Sequence, residues 1–470
     1  MAQKSKNKKP PAEALIIARH ARNKRQIREA DNQSIFCYTR AMKNSFKNQI
    51  AFGLFVAILL TPVIIWLTLE PISDRFEHLW QSIGQISGLL GIVLLSLNLF
   101  LSARLRRFEK FLPGINKIYE YHHHIGGTAL ILLLLHPVSL ALTFASTSFY
   151  QAFLLFIPAD AVALALGQYS LYGLLALLII TFYINLPYEW WRLSHALLGV
   201  PLLLGSLHML LIPSDVSRSP ALRYYLLVLI LVGLSSYLYR TVFGSWLVKR
   251  YKYEITEVQT FGSITEITAK PVAEAMPYLA GQYAFLQIPN LGFSFETHPF
   301  SVSSAPTKEG TVRFSIKNSG DFTSQLKDLA VGTRVKLEGG YGVFTAEQCI
   351  RSRQVWIAGG IGITPFLALA GELNGETVDL FYCVNTRSEA VYEEGLLALK
   401  KSGKNINVHL FCSDKDGRIT ADYIAKSVAD IQKTDIFVCG PPAMMTALKN
   451  QFKDLGISKA NIHSEEFSFS

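Results

Sequence analysis

The amino-acid sequence predicts a multi-domain membrane protein: a bundle of six transmembrane helices, then an antiparallel β-barrel, then an α/β domain. Three observations carry this. The 470 residues are 50% hydrophobic and only 17% charged, against roughly 25% charged in soluble domains. Six long apolar stretches follow one another in the first half of the chain. After about Tyr251 the texture changes to alternating segments, and beyond Arg353 to strand, glycine-rich turn, helix, strand, the order of a parallel α/β domain. A mean hydropathy of +0.27 excludes a disordered chain and a typical cytosolic enzyme.

The first segment, 1–49, carries 12 Lys and Arg against 3 Asp and Glu, so +9 of the net +10. A basic block before an apolar run reads as cytoplasmic retention of that end, not as a nucleic-acid surface. No secretory signal is expected, because the first apolar run begins about 50 residues in, without a short basic lead. The five cysteines (Cys37, Cys349, Cys383, Cys412 and Cys439) are odd in number and contain no Cys-x-x-Cys pair. They predict neither disulfides nor a zinc cluster.

The six spans are placed at Ile50–Leu69, Ile83–Ala103, His122–Phe144, Tyr169–Leu186, His195–Ile212 and Leu222–Phe243. Each approaches the ~20 residues that cross a bilayer, the fourth and fifth being shortest. The second loop holds Arg104, Arg106, Arg107, Lys110 and Lys117, whereas the third, roughly 145–168, holds no Lys or Arg. Arg240, Lys249, Arg250 and Lys252 follow the sixth span. This alternation places the N-terminus and everything after Phe243 in the cytoplasm; Arg218 and Arg223 in the fifth loop fit it less well. Turn signals in the following β region are Pro289-Asn290 and Gly339-Gly340.

Six of the 11 histidines lie in or at the mouth of two spans: His122, His123, His124 and His136 on the third, His195 and His208 on the fifth. Ionisable groups inside a membrane are functional candidates. His122 and His136 are 14 residues apart, about 21 Å along a helix and within about 40° of one face. His195 and His208 are 13 apart, about 19.5 Å. Each helix thus offers one imidazole at each of two levels, enough for two haems, each held by two histidines. In an ideal helix, however, 13 residues leave the two directions about 140° apart. Pro201 lies between them, and a proline kink can reset the phase. Zinc is the weaker alternative, since no carboxylate or thiolate accompanies the histidines. His123 and His124 read as interfacial polar residues.

Further on, His298-Pro299-Phe300-Ser301-Val302-Ser303-Ser304 follows Gly281-Gln282-Tyr283. Its hydroxyls can reach a flat heterocycle and a phosphate. Lys317-Asn318-Ser319-Gly320-Asp321-Phe322-Thr323 precedes a helix-like run, Ser324–Leu329; a helix start with a Gly and a Thr is a good pyrophosphate seat. The buried-strand run Val355–Ala358 leads into Gly359-Gly360-Ile361-Gly362-Ile363-Thr364-Pro365 and a helical run, where glycine lets the backbone approach phosphate. A strand at Asp435–Cys439 ends in Cys439-Gly440-Pro441-Pro442. Cys439 either sits near a nicotinamide or is a buried inert thiol. Arg387, after the strand Val378–Val384, either pairs with an adenosine 2′-phosphate or is a solvated surface arginine.

Over about residues 50–470 the chain resembles the NADPH oxidase and ferric reductase superfamily, in particular its bacterial members. The spacings 122/136 and 195/208, the HPFSVSS string, GGIGITP, CGPP and the closing Glu466-Phe467-Ser468-Phe469 occur in that family's order. The resemblance implies a ferric reductase-like six-helix di-haem domain (50–245), an FAD-binding antiparallel β-barrel (251–347) and an α/β NAD(P)H-binding domain (350–470). His122 with His195 would hold an inner haem b, and His136 with His208 an outer one. His298, Pro299, Phe300, Ser301, Val302 and Ser304 would line FAD, with Lys317, Gly320 and Thr323 near its phosphates. Gly359, Gly360, Gly362, Thr364 and Pro365 would bind the pyrophosphate of NADPH, or of NADH. Cys439, Gly440 and Pro441 would lie beside the nicotinamide, and Phe467 would cover the flavin as a gate. Ser301 stands where threonine is common.

The resemblance further implies a multi-pass protein of the cell (inner) membrane, with its tail and its flavin and nucleotide domains cytoplasmic. Electrons would pass from NADPH through FAD and two haems to an extracytoplasmic acceptor, oxygen (forming superoxide) or a ferric chelate. The position one turn beyond His136 is Leu140 and the second span has no Arg, so the polar oxygen pocket of animal oxidases is not expected. The other readings are a haem–flavin subunit serving a separate redox partner protein, and a non-enzymatic membrane binder or transporter. Expected partners are membrane lipid and a small-molecule acceptor, with no nucleic acid; the oligomeric state is left open.

Overall fold

A computed structural model describes residues 49–105, 115–145, 147–289, 297–349 and 351–465. The chain divides between Arg250 and Tyr251 into two compact units.

Among its described residues the first unit contains six helices long and apolar enough to cross a membrane. They are α1 (Gln49–Leu67), α2 (Leu79–Ser102), α3 (Ile115–Ala145), α4 (Val162–Tyr183), a fifth span made of α5 (Tyr188–Ala196) and α6 (Gly199–Leu211), and α7 (Pro220–Tyr237), whose last turn runs on to Val242. The centre of the bundle is α2, with half its residues buried. A stripe of small residues lets its neighbours approach, as in membrane helix packing. A Cβ added at Gly84 or Gly91 would fall 2.9 Å from Leu140 or 2.8 Å from Leu133 of α3. One added at Gly233 of α7 would fall 2.7 Å from the carbonyl of Ser96. Outward faces carry exposed apolar side chains such as Phe52, Ile131, Ile179 and Val228, as lipid requires.

Two span limits differ from the sequence expectation. The fourth helix starts at Val162, seven residues before Tyr169, because Gln168 is not a loop residue. Its side-chain amide donates to the carbonyls of Leu155 and Ile157, and its carbonyl accepts from the N–H of Ala159. The fifth span breaks at Leu197–Leu198, not at Pro201 itself. Proline has no N–H for the carbonyl four residues earlier, and that carbonyl belongs to Leu197. It accepts instead from Val200 N–H at 2.9 Å, a tighter turn that ends α5 and restarts the helix as α6.

The second unit begins with six antiparallel strands: β1 (Tyr251–Phe261), β2 (Ile264–Pro271), β3 (Tyr283–Gln287), β4 (His298–Ser301), β5 (Val312–Lys317) and β6 (Arg334–Tyr341). Their order is β4-β3-β6-β1-β2-β5. The sheet curls until a bridge between Val302 and Phe314 joins its two edges. Along β1 the side chains of Tyr251, Tyr253 and Ile255 point inward while Lys252 and Glu254 face out, the period-two pattern of a half-solvated sheet. Gly339-Gly340 is not a turn; both residues lie inside β6. A Cβ at Gly340 would fall 2.5 Å from Gln282 and 2.6 Å from Tyr278, so close approach, not chain reversal, requires glycine there.

Five parallel strands follow, in the order β11-β10-β7-β8-β9: β7 (Arg353–Gly359), β8 (Thr377–Val384), β9 (Ile406–Cys412), β10 (Asp435–Cys439) and β11 (Ile462–Glu465). The nearly unbroken burial of β7, β8 and β10 is that of a sheet covered on both faces. Helices α8 (Thr364–Glu372), α9 (Glu393–Lys401) and α10 (Pro442–Asp454) pack on it. Cys349, Cys383, Cys412 and Cys439 are free thiols; Cys37 lies outside the described residues.

Candidate functional site

In the membrane unit, α3 and the fifth span bring the four histidines into two pairs. The rings of His122 and His195 have centroids 6.0 Å apart, and those of His136 and His208 6.5 Å apart. The break at Leu197–Leu198 turns His195 and His208 toward the same neighbour, which a straight helix would not do.

Backbone carbonyls fix three of the four rings. His136 Nδ1 lies 2.7 Å from Gly84 O, His208 Nδ1 2.7 Å from Ala163 O, and His122 Nδ1 3.3 Å from Asn98 O. A carbonyl only accepts, so each Nδ1 carries the proton and each Nε2 presents a lone pair. His195 instead stacks on Trp191 at 5.4 Å. Glycines make room: a Cβ at Gly88 would lie 2.7 Å from His136 Nδ1, and one at Gly167 2.8 Å from His208 Nδ1. His123 and His124 are exposed.

This donor set fits haem iron. A metal–nitrogen bond of about 2 Å, added to the ring radius on each side, separates two centroids sharing one ion by roughly 6 Å. Metal-bound imidazoles usually donate their other N–H to a carbonyl or carboxylate. Among the described residues no group of three or more His, Cys, Asp and Glu is placed to hold a bare ion. Two facing imidazoles suit a metal whose other four ligands come from a macrocycle.

At the same end of the bundle as His136 lies a buried polar cluster that sequence reasoning missed. Arg75 and Asp215 are 3.2 Å apart, both buried. Arg75 Nη1 also donates to Gln85 at 3.0 Å, Trp66 Nε1 donates to Asp215 at 2.9 Å, and Arg218 pairs with Asp215 and Glu70. Partners 140 residues apart give no local signal in the sequence.

In the second unit, β4 is built from His298, Pro299, Phe300 and Ser301. The ring of His298 stacks on Phe322 at 3.9 Å. Ser301 is 5% exposed, and its hydroxyl has no hydrogen-bond partner among the described residues. A buried hydroxyl left open in this way fits a bound heterocycle. Val302 packs inside the barrel core. Ser304 Oγ accepts from Arg313 N–H at 3.0 Å and so secures the chain locally. Lys317 is exposed. The expected helix at Ser324–Leu329 is instead a single turn at Asp321–Ser324 and a 3-10 turn at Leu326–Asp328. Thr323 Oγ1 accepts there from the N–H groups of Ser319 and Gly320 at 2.9 and 3.0 Å.

The glycine turn and the CGPP turn meet. A Cβ at Gly362 would lie 2.4 Å from Cys439 O, and one at Gly359 2.7 Å from Pro441. At Gly440 it would be 2.8 Å from Met444. Gly360 has φ +54° with open space before it, which leaves its backbone free to approach a phosphate. Thr364 and Pro365 open α8. Cys439 is fully buried between Ala358 and Glu465 on the flanking strands. Burial, with the Glu465 charge adding to it, pushes its thiol well above the usual range, so it is a neutral S–H near pH 7. Glu465 is a second residue that sequence reasoning missed. The site of a Cβ at Gly342 is 2.8 Å from Glu465 Oε1 and 3.2 Å from Tyr283, and Tyr283 pairs with Ser301. Ser301 and Cys439 are thus joined by a short series of touching residues across the barrel and the α/β domain. Arg387 is bound to Glu393, Nη2 to both carboxylate oxygens at 3.0 Å. Phe467 lies outside the described residues.

Three family models match the chain: a ferric reductase like transmembrane component over residues 87–206, an FAD-binding domain over 250–364 and an oxidoreductase NAD-binding domain over 356–450. Among curated proteins, the anthranilate 1,2-dioxygenase electron transfer component of Acinetobacter baylyi is 28% identical over 219 residues, 44% of this chain and 62% of that protein. The toluate 1,2-dioxygenase electron transfer component of Pseudomonas putida is 32% identical over 208 residues, 42% of this chain and 60% of that protein. The chain thus spans about three-fifths of the length of these relatives. A flavohemoglobin structure from Malassezia yamatoensis superposes with a TM-score of 0.48 at 19% identity, covering 83% of this chain and 98% of that one. The matched oxidoreductase domains set aside the reading as a non-enzymatic binder or transporter. A ferric reductase like transmembrane component joined to an FAD-binding and an NAD-binding domain, with six helices able to cross a membrane among the described residues, is the architecture that this chain shares with the NADPH oxidase and ferric reductase superfamily.

Proposed function

We propose that the chain carries electrons from NAD(P)H on the cytoplasmic side, by way of FAD and two b-type haems, to an acceptor on the far side of the membrane. The acceptor is a small molecule, oxygen (giving superoxide) or a ferric chelate. The observation that carries this reading is the pair of facing imidazole couples, three of whose rings are tied to backbone carbonyls.

When bound, FAD and haem supply the conversion of a hydride into single electrons and their passage along a chain of redox centres. The protein's part is to hold and shield. His122 with His195, and His136 with His208, hold the two irons at separate levels of the bundle. The carbonyls of Asn98, Gly84 and Ala163 keep the protons on Nδ1 and the lone pairs on Nε2. The glycine turn at Gly360 admits the dinucleotide's pyrophosphate beside the start of α8. Cys439 packs a neutral thiol beside the nicotinamide, and Ser301 offers its free hydroxyl to the flavin.

The test is NAD(P)H oxidation by purified protein with oxygen and ferric citrate compared, using superoxide dismutase as a control. Transfer to neither acceptor, with the flavin fully reduced, would overturn the reading.

A further inference from the structure

We infer that Glu393 sets the dinucleotide preference of this chain, holding Arg387 so that the adenosine end takes the 2′-hydroxyl of NADH in preference to the 2′-phosphate of NADPH. The inference rests on the reading of NAD(P)H as electron donor to the flavin.

The placement follows from the sheet. Strand β8 lies beside β7, whose end carries the glycine turn, and Gly359 pairs with Cys383. In dinucleotide folds the strand next to the glycine turn ends at the adenosine ribose, where an acid accepts from a 2′-hydroxyl or an arginine receives a 2′-phosphate. The loop after β8 carries Thr386, Arg387 and Ser388. It offers an arginine, but one already engaged, since Arg387 Nη2 donates to both oxygens of Glu393 at 3.0 Å.

The carboxylate is the fixed member of that pair. Its side chain is 19% exposed, against 69% for Arg387. Glu393 opens α9, where the helix dipole favours an anion. The residue before it, Tyr392, donates its hydroxyl to Glu266 of the barrel at 3.4 Å, which anchors the helix start. Residues 385–394 carry Arg387 with Glu389, Glu393 and Glu394, a local charge of +1 − 3 = −2. A phosphate dianion would have to take the guanidinium from a held carboxylate and then lie beside it. A ribose hydroxyl meets neither cost and can donate to the same carboxylate.

The experiment is stopped-flow bleaching of the flavin in the full-length, detergent-purified protein, with NADH and NADPH compared. The unmodified chain should have the higher kcat/KM with NADH. Glu393→Gln should raise kcat/KM for NADPH about five- to tenfold, the scale of one charge-assisted hydrogen bond, so that the NADPH-to-NADH ratio rises by at least that factor. Glu393→Ala should show the same rise, and adding Arg387→Ala to either should abolish it. Flavin absorbance per protein reports folding of each variant. Bleaching by both nucleotides at an unchanged ratio in the Glu393 variants would overturn this inference alone. So would an NADPH preference in the unmodified chain that Arg387→Ala erases. Failure of both nucleotides to bleach the flavin would overturn the donor reading and this inference with it.

Discussion

Gly84 gives its carbonyl oxygen to the Nδ1 proton of His136 at 2.7 Å. Asn98, on the same helix, does the same for His122 at 3.3 Å. The separations match, 98 − 84 = 136 − 122 = 14 residues, so α2 reads α3 at two levels with one repeat. Helix α2 is thus a template that sets tautomer and ring direction for His122 and His136 of α3, and its glycines are what allow the approach.

Gly88 should therefore be intolerant of a methyl group. A Cβ there falls 2.7 Å from His136 Nδ1, whereas at Gly53 it meets nothing within 4 Å. Gly88→Ala is expected to cost about 1–3 kcal/mol, as overpacking does, and to lower haem content. Gly53→Ala should leave both unchanged. Thermal unfolding and haem absorbance per protein check the pair.

Gly362→Ala should separate the two halves of the reaction. Its Cβ would collide with Cys439 O at 2.4 Å and push the nucleotide turn out of place. Flavin reduction by NADH or NADPH should slow at least tenfold, the range in which lost positioning acts, while the haem spectrum after dithionite stays as in the unmodified protein. Loss of the haem bands would show that the substitution acts elsewhere.

Stability of the nucleotide-binding half should fall at alkaline pH. Burial pushes the Cys383 thiol up to about 12, against about 8.5 in an unfolded chain. The raised value means the folded state keeps its proton while the unfolded state loses one. The stabilising term is fully present below about pH 8.5 and is lost as pH rises from there toward the folded value. The midpoint of thermal flavin release should drop between pH 8 and pH 10, and Cys383→Ala should flatten that drop. An equal slope in both proteins would remove Cys383 from the cause.

The sequence made the spans legible because crossing lipid needs an apolar length that nothing else in the chain imitates. It made the histidine pairs legible because their spacing is counted along two spans, each contributing one imidazole at each level. The phase of His195 and His208 was only half readable: Pro201 marked a kink, but the break sits at Leu197, where the missing N–H is felt. The start of the fourth helix was hidden by Gln168, whose amide serves three backbone groups of the preceding loop. Partners that meet only through the fold left no trace, among them Trp66, Arg75 and Asp215, Glu465 beside Cys439, and Gly88 against His136.

The most direct test is the haem-to-flavin ratio of the purified chain, read from absorbance before and after His136→Ala and His208→Ala. Two b-type haems per FAD, falling to about one in either variant while NAD(P)H still reduces the flavin, is the result expected. A protein without Soret absorbance, or a ratio that neither substitution changes, would contradict it.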